Sequence, residues 1–95
     1  MYLVNVKVRA RAPEDADHIC RIFRHTLQLT QEPGYARGLC SVDVEDNCSV
    51  LIEEEWGSMA ALRAWLNSAS CQQLLQQITP LIEGPVEMSI YEEKV

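Results

Sequence analysis

The chain has 95 residues, 47% of them hydrophobic and 23% charged, which is ordinary globular composition and excludes wholesale disorder. Its 8 basic and 14 acidic residues give a net charge of −6, which argues against nucleic acid and against an anionic membrane surface as partners. The length predicts a single domain over residues 1–95. No apolar run approaches the roughly 20 residues of a membrane span, and the N-terminus lacks the pattern of a signal peptide, so we predict a cytoplasmic protein.

The four cysteines show no Cys-x-x-Cys pair, so neither a zinc ribbon nor a thioredoxin-type site is predicted and no metal is expected. They are Cys20, Cys40, Cys48 and Cys71. Cys40 and Cys48 flank a predicted hairpin, but Cys48 lies at its turn and should not face Cys40. We therefore predict buried free thiols. Because a domain this short has thin stability and the disulfide and metal staples are disfavoured, a partner subunit is the predicted support.

The first half of the chain predicts a strand followed by a helix. Residues 2–10 alternate between apolar and polar side chains, which is typical of a half-buried strand. Pro13 suits the first turn of a helix that runs to about Leu29, and Glu32-Pro33-Gly34 follows as a stop. The apolar stripe of this helix is predicted to contain Ala16, Ile19, Cys20, Phe23 and Leu27.

The second half predicts a hairpin and a helical segment broken in two. Residues 39–44 and 48–56 are apolar-rich runs on either side of an acidic turn, as in an antiparallel hairpin. Ser58 is the predicted N-cap of a short helix, and Ser68 or Ser70 is the predicted N-cap of the next one.

A last strand is predicted over residues 86–91, which completes the order β-α-β-β-α-β. This is the α+β, ferredoxin-like pattern, in which a four-stranded antiparallel sheet carries its helices on one face. The other face is not cleanly polar, because Leu3, Leu39 and Leu51 oppose the rows of valines. A sheet that is apolar on both faces requires a second cover, so we predict a homodimer that packs two sheets together.

Several fragments, in this order, resemble the antibiotic biosynthesis monooxygenase family over nearly the whole chain. They are Glu32-Pro33-Gly34-Tyr35, the run Leu51-Ile52-Glu53-Glu54-Glu55-Trp56, Ser58-x-x-Ala61-Leu62-x-x-Trp65-Leu66-x-Ser68 and Leu81-x-x-Gly84-Pro85. The resemblance implies a dimeric α/β barrel with a pocket between sheet and helices in each subunit. The family includes oxygenases that act on anthrones, quinols and polycyclic phenols without metal or flavin. In these oxygenases the deprotonated substrate reacts with oxygen directly. Other members degrade haem or isomerise small signalling molecules.

The resemblance also implies two catalytic candidates, Trp65 and Asn5. Trp65 stands where haem-degrading members carry a pocket tryptophan and many quinol-type members carry a histidine. Leu75 stands where the haem-degrading members carry the histidine that ligates iron, which ranks haem chemistry last. Asn5 corresponds to an asparagine of the family's first strand. The alternatives are that Trp65 is core packing and that Asn5 faces the dimer seam or water.

Four further residues are predicted to contact the substrate: Tyr35, Trp56, Cys71 and Leu75. The Tyr35 phenol is suited to bind a substrate hydroxyl, or else to cover the core as a loop tyrosine. Cys71 has no adjacent histidine or lysine to lower its pKa, so we interpret it as a structural thiol. Of the consecutive acids Glu53, Glu54 and Glu55, at least one must point inward or to the dimer seam. These carboxylates either take part in acid/base catalysis or form ion pairs with Arg9 or Lys7 at the dimer interface.

The sequence thus predicts a homodimeric, cofactor-independent monooxygenase that acts on a small aromatic substrate with molecular oxygen. No cofactor is expected, because the substrate itself reduces oxygen in this hypothesis. The absence of Gly-rich phosphate loops and metal-ligand clusters fits this and fits a protein without catalysis equally well. The alternative is a non-catalytic ligand-binding or regulatory module of the same fold. A haem-degrading monooxygenase is the third hypothesis.

Overall fold

The computed structural model describes residues 1–29 and 32–94 and has helices on one face of a four-stranded antiparallel sheet. The strands stand in the order β2-β3-β1-β4, which confirms the predicted ferredoxin-like α+β fold. No described helix is long and apolar enough to cross a membrane. The elements are β1 (Tyr2–Ala10), α1 (Pro13–Leu29), β2 (Tyr35–Val42), β3 (Ser49–Trp56), α2 (Met59–Leu66), α3 (Ala69–Ile78), a 3₁₀ turn (Thr79–Leu81) and β4 (Ile82–Glu92).

The two central strands put their alternate residues under the helices. In β1, Val4 and Val8 are buried, whereas Lys7 is exposed. Val4 pairs with Glu54 and Val8 with Val50, so the inward rows of β1 and β3 lie side by side on one face. Alternation along a strand sends the neighbouring residues to the opposite face.

The helices present the predicted apolar stripes to this face. In α1 the buried side chains are Ala16, Ile19, Cys20 and Phe23, and the side chain of Leu27 lies outside the described part of the chain. Both predicted N-caps are confirmed. Ser58 Oγ accepts a hydrogen bond from the Ala61 amide, and Ser68 Oγ, not that of Ser70, accepts one from the Cys71 amide.

The strand boundaries differ from the sequence prediction because pairing, rather than apolar pattern, decides where a strand ends. β2 begins at Tyr35, opposite Trp56 of β3, instead of at residue 39. It ends at Val42, so Val44, which was placed in the strand, is fully exposed in the turn. β4 is likewise longer than residues 86–91, because β1 also pairs with residues 82 and 83 at its start and with residue 92 at its end.

The prediction of buried free thiols is wrong for two of the four cysteines. Cys20 of α1 and Cys40 of β2 form a disulfide with their Cα atoms 5.4 Å apart. The cause is tertiary: α1 packs across β2, which brings together two cysteines that are 20 residues apart. Cys48 and Cys71 are free, and Cys71 is buried. The chain therefore contains a stabilising disulfide, whereas the sequence pattern had favoured a partner subunit as the source of stability.

The turn before β2 depends on a glycine that fits against α2. Gly34 has a φ of +87°, and a Cβ built there lies 2.8 Å from Ala61 Cβ. We expect Gly34→Ala to lower the free energy of unfolding by about 2–4 kcal/mol, through the left-handed backbone and the overpacking together. Gly84→Ala is the matched control, because Gly84 has a φ of +75° but open space around its Cβ position.

Gly84→Ala is expected to lower the free energy of unfolding by about 1–2 kcal/mol, which is the effect of the left-handed backbone without the overpacking. Chemical denaturation of both variants measures the difference, and Ala61→Gly in the Gly34→Ala background should recover it. Equal losses in the two alanine variants would contradict the predicted contact with Ala61.

Candidate functional site

A cavity of about 420 Å³ lies between the helix-bearing face of the sheet and the helices. All three α-helices and the strands β1, β3 and β4 contribute to its wall, and nearly all of the lining side chains are apolar. Such a cavity has the size and character of a small-molecule site. Its lining residues are Val4, Val6, Ile19, Phe23, Ile52, Glu54, Trp65, Leu66, Cys71, Leu74, Leu75, Ile78, Val86 and Met88.

The mouth of the cavity opens beside β4, the strand that the helices leave uncovered. Leu75, Val86 and Met88 line the cavity and are each more than one third exposed. Val86 and Met88 lie on the same face as Val6, which pairs directly with Met88. An apolar ligand can therefore enter along β4 and cover these side chains.

Three aromatic side chains form a connected group, and one of them lines the cavity. Trp65 lines the cavity and is 2% exposed, and it stacks on Trp56 with the ring centroids 6.3 Å apart. Trp56 is fully buried and meets the edge of Tyr35 at 5.3 Å. Trp65 thus contributes an aromatic surface to the cavity wall. Its ring is held in place by packing on Trp56, which in turn packs on Tyr35.

Glu54 is the one charged residue that the described part of the chain contributes to the cavity wall. It is 8% exposed, whereas its neighbours Glu53 and Glu55 point to the opposite face of the sheet. The Trp56 Nε1–H donates a hydrogen bond of 3.4 Å to Glu54 Oε1. Burial raises the pKa of Glu54, and the hydrogen bond from Trp56 opposes this in part. The expectation that one of the three acids points inward is thereby confirmed.

The negative charge of Glu54 also affects the pKa of two other ionisable side chains, and in both the protonated form is favoured. Burial raises the pKa of the Cys71 thiol, and the negative charge of Glu54 adds to the effect. The same two causes, in the same order, raise the pKa of the Tyr35 phenol. Cys71 is therefore a neutral thiol in the cavity wall, in agreement with its structural interpretation.

Asn5 lies on the other face of the sheet. It lines a groove of about 190 Å³ together with Leu3, Leu39 and Tyr91. Its strand neighbours Val4 and Val6 line the cavity, so alternation turns the amide away from that cavity. This face also carries the ion pair between Arg37 and Glu55, with Nε and Oε2 3.4 Å apart.

The structure thus brings Trp65, Cys71 and Leu75 into one cavity, and Trp56 and Tyr35 support it. It separates Asn5 from them by the thickness of the sheet. Glu54, one of three acids whose directions the sequence left open, is the functional candidate that the structure adds.

A broader depression of about 540 Å³ lies at the far end of the sheet and is a weaker candidate. Lys7, Glu83 and Pro85, which are exposed, contribute to it. Arg9 in its wall is engaged by Asp46 and Glu83 of its own chain, not by the Glu53–Glu55 run. Among residues 1–29 and 32–94, no group of three or more His, Cys, Asp and Glu side chains is placed to hold a metal ion.

Comparison with known proteins gives the family. Residues 1–77 match the family profile described as Antibiotic biosynthesis monooxygenase, which is well over half of the chain. The chain belongs to the antibiotic biosynthesis monooxygenase family. The resemblance seen in the sequence is thereby confirmed.

Solved structures share the fold over nearly the whole length of this chain and of their own. A Deinococcus radiodurans protein named for the same family is 26% identical, with a TM-score of 0.86 and coverage of 100% of this chain and 94% of its own. A variant of SnoaB, a cofactor-independent oxygenase from Streptomyces nogalater, is 16% identical, with a TM-score of 0.77 and coverage of 99% and 92%. No curated protein matches the chain.

The raised pKa of Glu54 gives this family member a pH-dependent stability. The folded state keeps the Glu54 proton above the ordinary pKa of 4.5, at which the unfolded chain releases it. The stability that Glu54 contributes is therefore complete below about pH 4.5 and is lost as pH rises through the raised pKa. We expect Glu54→Gln to raise the free energy of unfolding at neutral pH, with no gain below pH 4.5.

Denaturant melts across this pH range measure the effect as the difference between each variant and the wild type. Glu53→Gln is the matched control, because Glu53 is exposed on the same strand. Its replacement is expected to change the free energy of unfolding by less than about 0.5 kcal/mol, as is usual for a surface substitution. A pH-independent effect of Glu54→Gln would contradict the buried, proton-binding carboxyl.

Proposed function

We propose that this chain is a cofactor-independent monooxygenase that acts on a small aromatic substrate of the quinol, anthrone or polyphenol type. The observation that carries the proposal is the apolar cavity of about 420 Å³ with the Trp65 ring in its wall. A flat aromatic substrate fits between Trp65 and the apolar side chains of α3. SnoaB, named as a cofactor-independent oxygenase, shares the fold and supports the same chemistry.

In this reaction the substrate itself supplies the electrons. The substrate loses two hydrogens and one of its ring carbons gains one atom of molecular oxygen, while the second oxygen atom leaves with those two hydrogens as water. The electron-rich anion of the substrate is the species that reacts with oxygen. In this proposal Trp65 holds the ring, and Cys71 and Leu75 shape the cavity beside it. Trp56 and Tyr35 keep Trp65 in place, while Asn5 belongs to the dimer seam.

Oxygen uptake by metal-free, flavin-free protein tests this proposal. A panel of quinols and anthrones is supplied, and spontaneous autoxidation is subtracted. Uptake above that background, with loss of the rate in a cavity variant, is the expected result. Absence of uptake across the panel, for compounds shown to bind, would contradict catalysis.

The second candidate is a binding or regulatory module that uses the same cavity without chemistry. The apolar lining favours it, because Glu54 is the one charged group that the described side chains place there. Binding without oxygen uptake would identify it. Haem degradation ranks last, since the Leu75 side chain offers no atom to ligate iron, and a haem titration without a Soret shift would remove it.

We propose further that two copies of the chain pack through the outer face of the sheet. Leu39 and Tyr91 are about half exposed there, and Leu3 lies between them. Light scattering at micromolar concentration is expected to give the mass of a dimer. Leu39→Lys should shift it toward the monomer, whereas Val44→Lys, at a fully exposed turn position, should not. A monomeric wild type would contradict this part of the proposal.

A cytoplasmic location completes the proposal, and the Cys20–Cys40 disulfide makes it testable. Reducing systems keep cytosolic thiols reduced in most organisms, so a cytoplasmic location predicts that Cys20 and Cys40 are reduced thiols in cells, and a disulfide found there would contradict it. Rapid acid quenching of cells followed by thiol alkylation measures that state. Fractionation then gives the location directly, and recovery outside the cytoplasm would contradict it.

A further inference from the structure

Within the described part of the chain, the buried carboxyl group of Glu54 accepts one hydrogen bond, from Trp56, and forms no ion pair. Among the residues that the structure describes, Glu54 is the one charged side chain in the core. It lies between Ile52 and Trp56 on the inward row of β3, where the fold otherwise places apolar side chains. Replacing a buried charge by an apolar residue commonly stabilises a protein, so packing alone does not explain a glutamate here.

The carboxylate also has acceptor capacity left over. A carboxylate offers about four lone-pair sites. The structure gives Glu54 one hydrogen bond, from Trp56 Nε1 at 3.4 Å. No lysine or arginine in the described ranges 1–29 and 32–94 forms an ion pair with it. The ionisable groups facing it are Tyr35 and Cys71, and neither brings a positive charge.

We propose that Glu54 binds the hydroxyl group of the substrate and accepts its proton, so that the reactive anion forms inside the cavity. This inference rests on the proposed oxygenase function. The substrate O–H bond breaks, its electron pair stays on the substrate oxygen, and a new O–H bond forms at a Glu54 carboxyl oxygen. Nothing is oxidised in this step. Molecular oxygen is the oxidant of the step that follows.

Burial favours this transfer rather than opposing it. The cavity holds one negative charge before the step and one after it, so no additional charge is buried. The charge moves from a compact carboxylate to an anion spread over an aromatic ring, which loses less hydration energy on burial. The environment that raises the pKa of Glu54 therefore strengthens it as a base.

The same charge selects the class of substrate. A neutral aromatic with one hydroxyl donor satisfies the carboxylate, and its ring meets Trp65 and the apolar wall. An aromatic carboxylate of equal size brings a second negative charge and has no donor to offer. We expect neutral phenols to bind and matched benzoates to be rejected.

The experiment uses para-nitrophenol as the probe. Its phenolate absorbs visible light and its phenol form does not, and its electron-poor ring resists oxidation, so proton transfer is seen apart from oxygen chemistry. Binding is followed by quenching of tryptophan fluorescence at a pH below the pKa of the free probe. The proteins compared are the wild type, Glu54→Gln and the control Glu53→Gln. The side-chain amide in Glu54→Gln keeps an oxygen that can accept from Trp56 Nε1, so this variant is expected to fold.

The wild type and Glu53→Gln are expected to bind the probe with a phenolate band. Glu54→Gln is expected to bind it without that band and to lose about tenfold of the preference for para-nitrophenol over para-nitrobenzoate. An unchanged band in Glu54→Gln, or no binding by the wild type, would overturn the assignment of Glu54. A phenolate band in a protein without oxygen uptake on quinols would leave Glu54 as the proton acceptor and remove the oxygenase function.

Discussion

A Trp65→Ala variant is expected to lose substrate binding and oxygen uptake altogether, together with about 3–5 kcal/mol of the free energy of unfolding. Trp65 is 2% exposed, lines the cavity and stacks on Trp56. Its removal merges the space of the indole ring with the cavity and takes away the wall against which a flat substrate packs. A small domain has about 5–15 kcal/mol in all, so the variant should remain folded at low temperature.

Leu62→Ala is the matched control for this prediction. Leu62 is fully buried in the same helix, α2, but does not line the cavity. Its truncation should cost a comparable amount, about 2–5 kcal/mol, and leave ligand binding and oxygen uptake near the wild-type values. Differential scanning fluorimetry and the oxygen electrode give the two readouts.

Rescue by a small aromatic compound separates a vacated cavity from a collapsed one. Indole matches the side chain removed from Trp65, and engineered apolar cavities bind such compounds. We expect indole to raise the melting temperature of Trp65→Ala by more than it raises that of Leu62→Ala or the wild type. Equal loss of activity in both variants, without rescue, would show that the effect of Trp65 is on folding alone.

The element order was predictable because local patterns and pairing agree along most of this chain. The alternation of residues 2–10, the serine caps and the stripe of α1 each reappear in the structure where the sequence places them. The boundaries of β2 were not predictable from its own residues. Ala36 and Gly38 carry little strand signal: Gly38 is held in the strand by pairing with Glu54 of β3, and Ala36 lies at a register irregularity between two residues that pair with β3.

The site was only half predictable, because strand parity is a tertiary property. Trp65 and Cys71 lie on helical stripes, so their inward direction follows from the 3.6-residue period. Asn5 and Glu54 lie on strands, where a shift of one residue reverses the face. The resemblance to the family could suggest Asn5 but not the direction of its side chain. The fully buried Trp56, two residues after Glu54, was the signal that could have identified the inward acid.

Removal of the Cys20–Cys40 disulfide is the second large effect that we expect. The bond closes a loop of about 20 residues, and the entropy of that loop in the unfolded chain corresponds to about 3 kcal/mol. The double variant Cys20→Ser, Cys40→Ser should lose that amount, measured by denaturant unfolding under oxidising conditions. Reductant should destabilise the wild type by a similar amount and leave the double variant unchanged.

Cys48→Ser provides the control for replacing a cysteine without breaking a bridge. Cys48 is a half-buried free thiol next to β3, and its replacement should change stability by less than about 1 kcal/mol. A reductant effect that persists in the double variant would show that the stabilisation comes from elsewhere.

The disulfide also connects stability to the cavity, because Cys20 lies in α1 between two cavity-lining residues, Ile19 and Phe23. Bound to Cys40, it fixes this stretch of helix on β2, the edge strand next to β3. Loss of the bond should therefore weaken ligand binding in the double variant, beyond any effect of Cys48→Ser. Titration of para-nitrophenol into both variants at a temperature where each is folded tests this. Unchanged affinity in the double variant would mean that core packing alone positions the α1 wall.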